Sequence, residues 1–373
     1  MEKGGIVFVF AVPLWAISCV AGVLSSQYKF PQALIISLFF VTFVATIYFK
    51  HWLLLVLFGF CCGLVRSLWG DILRIPDQTF FTHVRALSDA QFTKFFDEPY
   101  KTLISGIIFG GSSNFSSEWK QVFRSTGTMH IVAVSGANIA FVVHWIEWTL
   151  KKSIAAPRAR FYAAIVSIGA YILVTGAPAS VVRAGLMALV MHVGPLVGRR
   201  TYATHALTAA AALMVLINPS IAKNIGFQFS CLATMGLIIF ESPSSRFGSV
   251  ISETIAATLC ILPLEILYFK TVSLSALIAN VIVAPFIPAI MILGIFSLAV
   301  INFVPIISMP VVYIAQFVAK IMLILLARTA DIPGSSANIM IRVEFVFLWY
   351  LGILLYAIDR MKKRIRVPES FLV

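Results

Sequence analysis

Residues 130–138, "HIVAVSGAN", set His130, Ser135, Gly136 and Asn138 into an apolar run. A serine with a nearby histidine suggests acyl transfer through an activated nucleophile. The spacing opposes it, because at 100° per residue His130 and His144 point roughly 140° and 180° away from Ser135. His192 falls at the other end of its own apolar run, so no base for Ser135 is legible. Ser135 and Asn138, three apart, share one helical face and offer neutral hydrogen bonds. Further along, Arg183, Gln228, Ser230, Glu265 and Asn280 also interrupt apolar runs. Arg183 with Glu265 is a pair suited to a small anion and its exchange. The six histidines (His51, His83, His130, His144, His192, His205) are scattered, with no metal-binding cluster. No GxxxxGK[ST] loop is present, so an ATP-driven step belongs to a separate protein. No metal and no cofactor are expected.

The elements that must carry these residues follow from composition. The 373 residues are 60% hydrophobic and 12% charged, with a mean hydropathy of +0.97. Apolar runs of about 20 residues, each long enough for a membrane-spanning helix, fall near 6–24, 32–48, 52–69, 130–150, 161–176, 180–197, 202–217, 225–240, 249–268, 272–302, 306–327 and 341–359. The expected fold is all-α, a polytopic membrane protein with about 12 transmembrane helices. The run 272–302 is long and broken by proline. The first run reads as a retained span rather than a signal peptide, since its flank carries only Lys3, offset by Glu2. The five cysteines all lie in apolar runs and fit no disulfide framework.

Four parts result: N-terminal spans 1–69, an extracytoplasmic segment 70–129, a channel-like span region 130–359 and a basic tail 360–373. The segment 70–129 shows helical spacing of polar and apolar residues, and is expected to form short amphipathic helices on the outer surface. Lys and Arg fix the orientation. With the N-terminus cytoplasmic, the inside segments carry fourteen basic residues and the short outside loops four. Both termini are therefore expected inside, and the net charge of +13 largely reflects topology.

This orientation puts the polar residues in the outer half of the membrane. His130 marks the outer end of its span, with Ser135 and Asn138 about 7 and 12 Å inward. Arg183 lies one turn deep on the face of Ser180 and Met187. Gln228, Ser230 and Thr234 occupy the first turns of their span, Glu265 the last, and Asn280 precedes Pro285 and Pro288. Together they outline an outward-facing polar cavity. A structural role competes at each position. Ser230, Thr234, Thr254 and Thr258 are residues that bond their own helix carbonyls or pack helices. Asn138 and Gln228 can tie helices, and Arg183 can snorkel or pair with Glu265. Gly136 permits either close helix approach or local unwinding. Pro178, Asn218, Pro219, Pro285 and Pro288 are the expected hinges.

The segments "HIVAVSGANI", "SVVRAGLM", "NPSIAKNIGFQFSCLATMGLI" and "AATLCILPLEILYFKTVSLSALIANVIVAPFIP", in this order, resemble the competence domain of the ComEC family over about Leu103 to Pro288. The resemblance implies a bacterial inner-membrane channel through which transforming DNA enters the cytoplasm as a single strand. It places His130, Ser135, Gly136, Arg183, Asn218, Gln228, Ser230, Asn280 and Pro285 at motif positions. Asn138 stands where the family often has histidine. Longer members add an OB-like domain and a metallo-β-lactamase-like domain, and neither is legible here. The expectation is a channel without nuclease or other enzymatic activity. Its partners would be single-stranded DNA, the bilayer, a separate DNA receptor, a nuclease and a cytoplasmic ATPase or strand-pulling protein. An intramembrane serine hydrolase and a secondary transporter of a small anion are the alternatives.

Overall fold

The computed structural model of the chain describes residues 79–366, apart from 112, 113, 133, 153–156, 197, 199, 241–245, 304 and 333–335. The expected spans 6–24, 32–48 and 52–69 and the end of the basic tail lie outside the described residues. The described chain begins with α1 (Thr79–Phe95), α2 (Tyr100–Phe109), α3 (Ser117–Ser125), α4 (Met129–Val132) and α5 (Gly136–Lys152). Then come α6 (Pro157–Val174), α7 (Ala179–Leu196), α8 (Ala203–Ile217), a 3₁₀ turn (Pro219–Lys223), α9 (Ile225–Phe240) and α10 (Arg246–Phe269). Strand β1 (Thr271–Ser273), α11 (Ala276–Val283), α12 (Phe286–Phe303), α13 (Pro305–Ala330), β2 (Ser336–Asn338) and α14 (Val343–Arg366) complete it. The all-α reading holds, with one addition, an antiparallel pairing of β1 and β2 that matches Thr271 with Asn338.

Among the described residues three helices are long and apolar enough to cross a membrane by length and composition: Val250–Phe269, Phe286–Phe303 and Ser308–Ala330. Within the described residues the other segments expected to span are helical but shorter or more polar, so a count of twelve does not follow from them. Their lengths have local causes. The glycine-alanine bend at Gly176 (φ 80°) and Ala177 (φ 53°) stops α6, and Pro178 then opens α7 by accepting the Val181 and Val182 amides. Asn218 ends α8, and its Oδ1 takes the Ser220 amide at 2.9 Å, with Pro219 opening the 3₁₀ turn. Pro285 separates α11 from α12, so the run 272–302 is two helices rather than one.

The main core departs from expectation. Segment 70–129 was expected on the outer surface, yet α2 has eight of its ten residues buried. Ile104 and Ile108 fill a notch on α12, where a Cβ on Gly294 would stand 2.6 Å from Ile108 and 2.8 Å from Ile104. The polar residues of α2 are satisfied inward: Thr102 donates to Glu98 at 2.7 Å, and Ser105 to Asp89 at 2.5 Å. Helix α3 keeps the amphipathic character expected of it. It opens on a Ser116 cap, and Phe123 is its buried residue.

A second knot joins α9, α10 and α14. At Gly236 a Cβ would lie 2.3 Å from the Ala256 carbonyl oxygen, so α9 and α10 touch backbone to backbone. Pro263 interrupts α10 and, lacking an N–H, leaves the Leu259 carbonyl without its helical donor. Trp349 Nε1 of α14 supplies that donor at 3.0 Å. The neighbouring Tyr350 hydroxyl donates to the Cys260 carbonyl at 2.9 Å.

Candidate polar site at a broken helix

Residues 129–152 do not form the continuous span expected over 130–150. Helix α4 stops at Val132 and α5 starts at Gly136. Between them, the Val134 carbonyl accepts from Ser180 Oγ of α7 at 3.1 Å. Gly136 makes that approach possible. A Cβ there would lie 3.0 Å from the Ala184 Cβ and 3.2 Å from Arg183 Nη2. Of the two roles considered for this glycine, the structure shows the close contact.

Arg183 is the centre of the site. It is only 4% exposed, and its Nε donates to Ser230 Oγ of α9 at 2.9 Å. Its Nη1 points to Met187 Sδ at 2.9 Å, one turn along its own helix, as the shared face of Ser180, Arg183 and Met187 predicts. Among the described residues no carboxylate pairs with Arg183. The alternative in which it pairs with Glu265 is not realised. A buried guanidinium held by a hydroxyl and a thioether is an uncompensated cation, and such groups are costly unless an anion visits them.

Asn138 belongs to a different cluster. It is 2% exposed, accepts from Ser135 Oγ at 3.0 Å and donates to the Ile107 carbonyl at 2.9 Å. Tyr171 of α6, beside Asn138, donates to the Ile108 carbonyl at 3.3 Å, and Arg85 of α1 reaches the Gly110 carbonyl. Three side chains therefore satisfy the open carboxyl end of the buried helix α2, where backbone donors run out. Tyr171 and Arg85 escaped the sequence reading, because nothing in the sequence marked α2 as buried. Among the described residues Ser135 bonds to Asn138 and to no histidine.

The remaining candidates are dispersed. Gln228 donates to the Ala222 carbonyl at 2.8 Å and accepts from the Tyr268 hydroxyl at 3.1 Å, tying the 3₁₀ turn to α10. Thr234 and Thr254 bond carbonyls one turn back in their own helices, at 3.0 Å and 2.7 Å, which is the structural role weighed for them. His130 is exposed, with Nδ1 3.1 Å from the Gly127 carbonyl. Asn280 Oδ1 is buried without a hydrogen-bond partner, just ahead of the Pro285 break, and Pro288 lies in the first turn of α12. Neither Asn280 nor Glu265 bonds to Arg183, Ser135 or Gln228. Among the described residues no group of three or more His, Cys, Asp or Glu is placed to hold a metal ion.

A family model described as "Competence protein" matches residues 107–363, more than half of the chain. ComE operon protein 3 of Bacillus subtilis (strain 168) is 24% identical over 188 residues, covering 49% of this chain and 24% of that protein. The uncharacterized protein YcaI of Escherichia coli (strain K12) is 24% identical over 214 residues, covering 50% of this chain and 27% of that protein. The matched stretches thus span about a quarter of each relative. No solved structure matches.

Proposed function

Because the chain belongs to the competence protein family, we propose that it passes single-stranded DNA across the bacterial plasma membrane into the cytoplasm during natural transformation. The observation that carries this reading is Arg183, a buried cation held only by neutral partners. A passage for a polyanion needs few fixed cations, because strong phosphate pairing repeated along a strand would arrest it. One sparsely paired arginine beside serine and backbone fits that requirement. The protein itself performs no bond cleavage. The DNA receptor, nuclease and ATPase or strand-pulling protein act as separate partners.

The orientation belongs to the same proposal, with both termini cytoplasmic. Its support is internal consistency: residues assigned to the outside meet one another. Ser273 donates to the Ser125 carbonyl at 2.6 Å, Tyr268 to Gln228, and β1 pairs with β2. Residues assigned to the inside also meet, as Arg360 reaches the Ile239 carbonyl and Tyr356 stacks on Phe240 at 5.2 Å.

The test is a transformation assay that separates DNA held at the cell surface from DNA reaching the cytoplasm. Deletion should leave surface binding intact and abolish arrival. Arg183→Ala, inserted at normal level, should reproduce the loss of arrival. Normal arrival in a clean deletion would end the channel reading.

A further inference from the structure

We propose that the amino end of α5 and the Arg183 guanidinium together form a binding site for a single phosphodiester monoanion. Helix α5 runs 17 residues, Gly136–Lys152, so its amino end carries the full partial positive charge of a helix terminus. The Asn138 amide bonds back to the Ser135 carbonyl at 3.1 Å. No described residue accepts from the Gly136 or Ala137 amide. The Ser135 hydroxyl, the usual kind of cap for such amides, is turned to Asn138 instead. These two backbone donors thus have no acceptor among the described residues.

Arg183 supplies the independent second observation. It is 4% exposed, and its Nη2 makes no hydrogen bond to any described residue. That nitrogen lies 3.2 Å from where a side chain on Gly136 would begin. A buried guanidinium and a helix amino end, side by side with no carboxylate between them, repel each other. An anion at their junction turns that repulsion into attraction from both sides. Broken membrane helices present half-helix amino ends to anionic substrate groups in this way. A phosphodiester oxygen fits because guanidinium and paired amides bind phosphate oxygens through charge-assisted bonds, about twice as strong as neutral ones. The channel reading enters only as the source of the phosphodiester, a passing strand rather than a lipid headgroup.

The full chain, purified in lipid-free uncharged detergent, is titrated by calorimetry with the thymidine dinucleotide TpT, with its uncharged methylphosphonate analogue and with phosphatidylglycerol. TpT should bind saturably, and the methylphosphonate at least about tenfold more weakly, a difference of about 1.4 kcal/mol. Arg183→Ala should remove the difference. Arg183→Lys should recover part of it, since lysine keeps the charge but not the planar fork. Equal binding of TpT and its methylphosphonate overturns the site, and that comparison needs only the wild-type protein should Arg183→Ala not fold. Unchanged TpT binding in a folded Arg183→Ala protein overturns it as well. Arg183-dependent binding of phosphatidylglycerol without TpT supports the anion site and removes Arg183 from the channel reading. Loss of the site with uptake still dependent on Arg183 overturns the proposal and leaves the channel.

Discussion

At the residue scale, the polar side chains of "HIVAVSGAN" divide into two kinds of work. Ser135 and Asn138 look inward to α2, whereas Gly136 clears space for Arg183 on the other side. Asn138→Ala should therefore act first on stability. It strips the Ile107 carbonyl of its donor and Ser135 of its acceptor in a buried place, where an unsatisfied group costs about 1–3 kcal/mol. The check is thermal unfolding of the purified protein in detergent, with Arg183→Ala alongside. An Asn138→Ala protein as stable as wild type would show that Asn138 does not hold α2. DNA arrival should fall in proportion to folded protein, with no change in pH dependence, because asparagine does not titrate. The shared face of Ser180, Arg183 and Met187 was legible from helical spacing alone. The separation of Asn138 from Arg183 was not, because depth along a span says nothing about which neighbour a face meets.

At the element scale, the proline in α10 and the aromatic pair in α14 form a unit that can be taken apart. Pro263 leaves the Leu259 carbonyl open, and Trp349 closes it. Trp349→Phe should thus cost about 0.6 kcal/mol, the usual size of a hydrogen bond between membrane helices. Pro263→Ala restores the helical N–H to Leu259, so Trp349→Phe made on that background should cost measurably less. The observable is the coupling between the two changes in a double-mutant cycle of unfolding midpoints; additive effects would dissociate Trp349 from the bend. Elsewhere, Gly236→Ala should pry α9 from α10, since its Cβ meets a carbonyl oxygen at 2.3 Å. Overpacking of this kind costs about 1–3 kcal/mol and should lower the melting temperature, and an unchanged melt would refute the close contact. The proline positions showed in the sequence where helices would break. They could not show the donors that heal the breaks, because Trp349 lies 90 residues from Leu259. Helix α2 was misread for a related reason. Lys101, Thr102 and Ser105 gave it a surface pattern, while the acceptors that allow Thr102 and Ser105 to be buried, Glu98 and Asp89, come from the preceding turn and from α1.

At the scale of the whole molecule, sidedness is the property on which the functional reading depends, and the fold constrains it beyond the count of basic residues. Strands β1 and β2 lie at the ends of α10 and α13 and pair directly, so Thr271 and Asn338 occupy the same side whatever the number of spans. The contact of Arg360 with the Ile239 carbonyl likewise joins the last helix to the end of α9 remote from Gln228. An impermeant maleimide added to intact cells should accordingly label Thr271→Cys and Asn338→Cys together. Arg200→Cys, at the opposite end and exposed, should react only after permeabilisation. These changes leave the Arg183 cluster untouched, so each variant can first be shown to support DNA arrival. Joint labelling of Thr271→Cys and Asn338→Cys only after permeabilisation would invert the molecule. The broken helix and its arginine would then open to the cytoplasm, and Arg183 would meet a strand at its exit rather than at its entry. Labelling that separates the two positions would go further, because antiparallel partners cannot sit on opposite faces of a membrane, and would overturn the β1–β2 pairing itself.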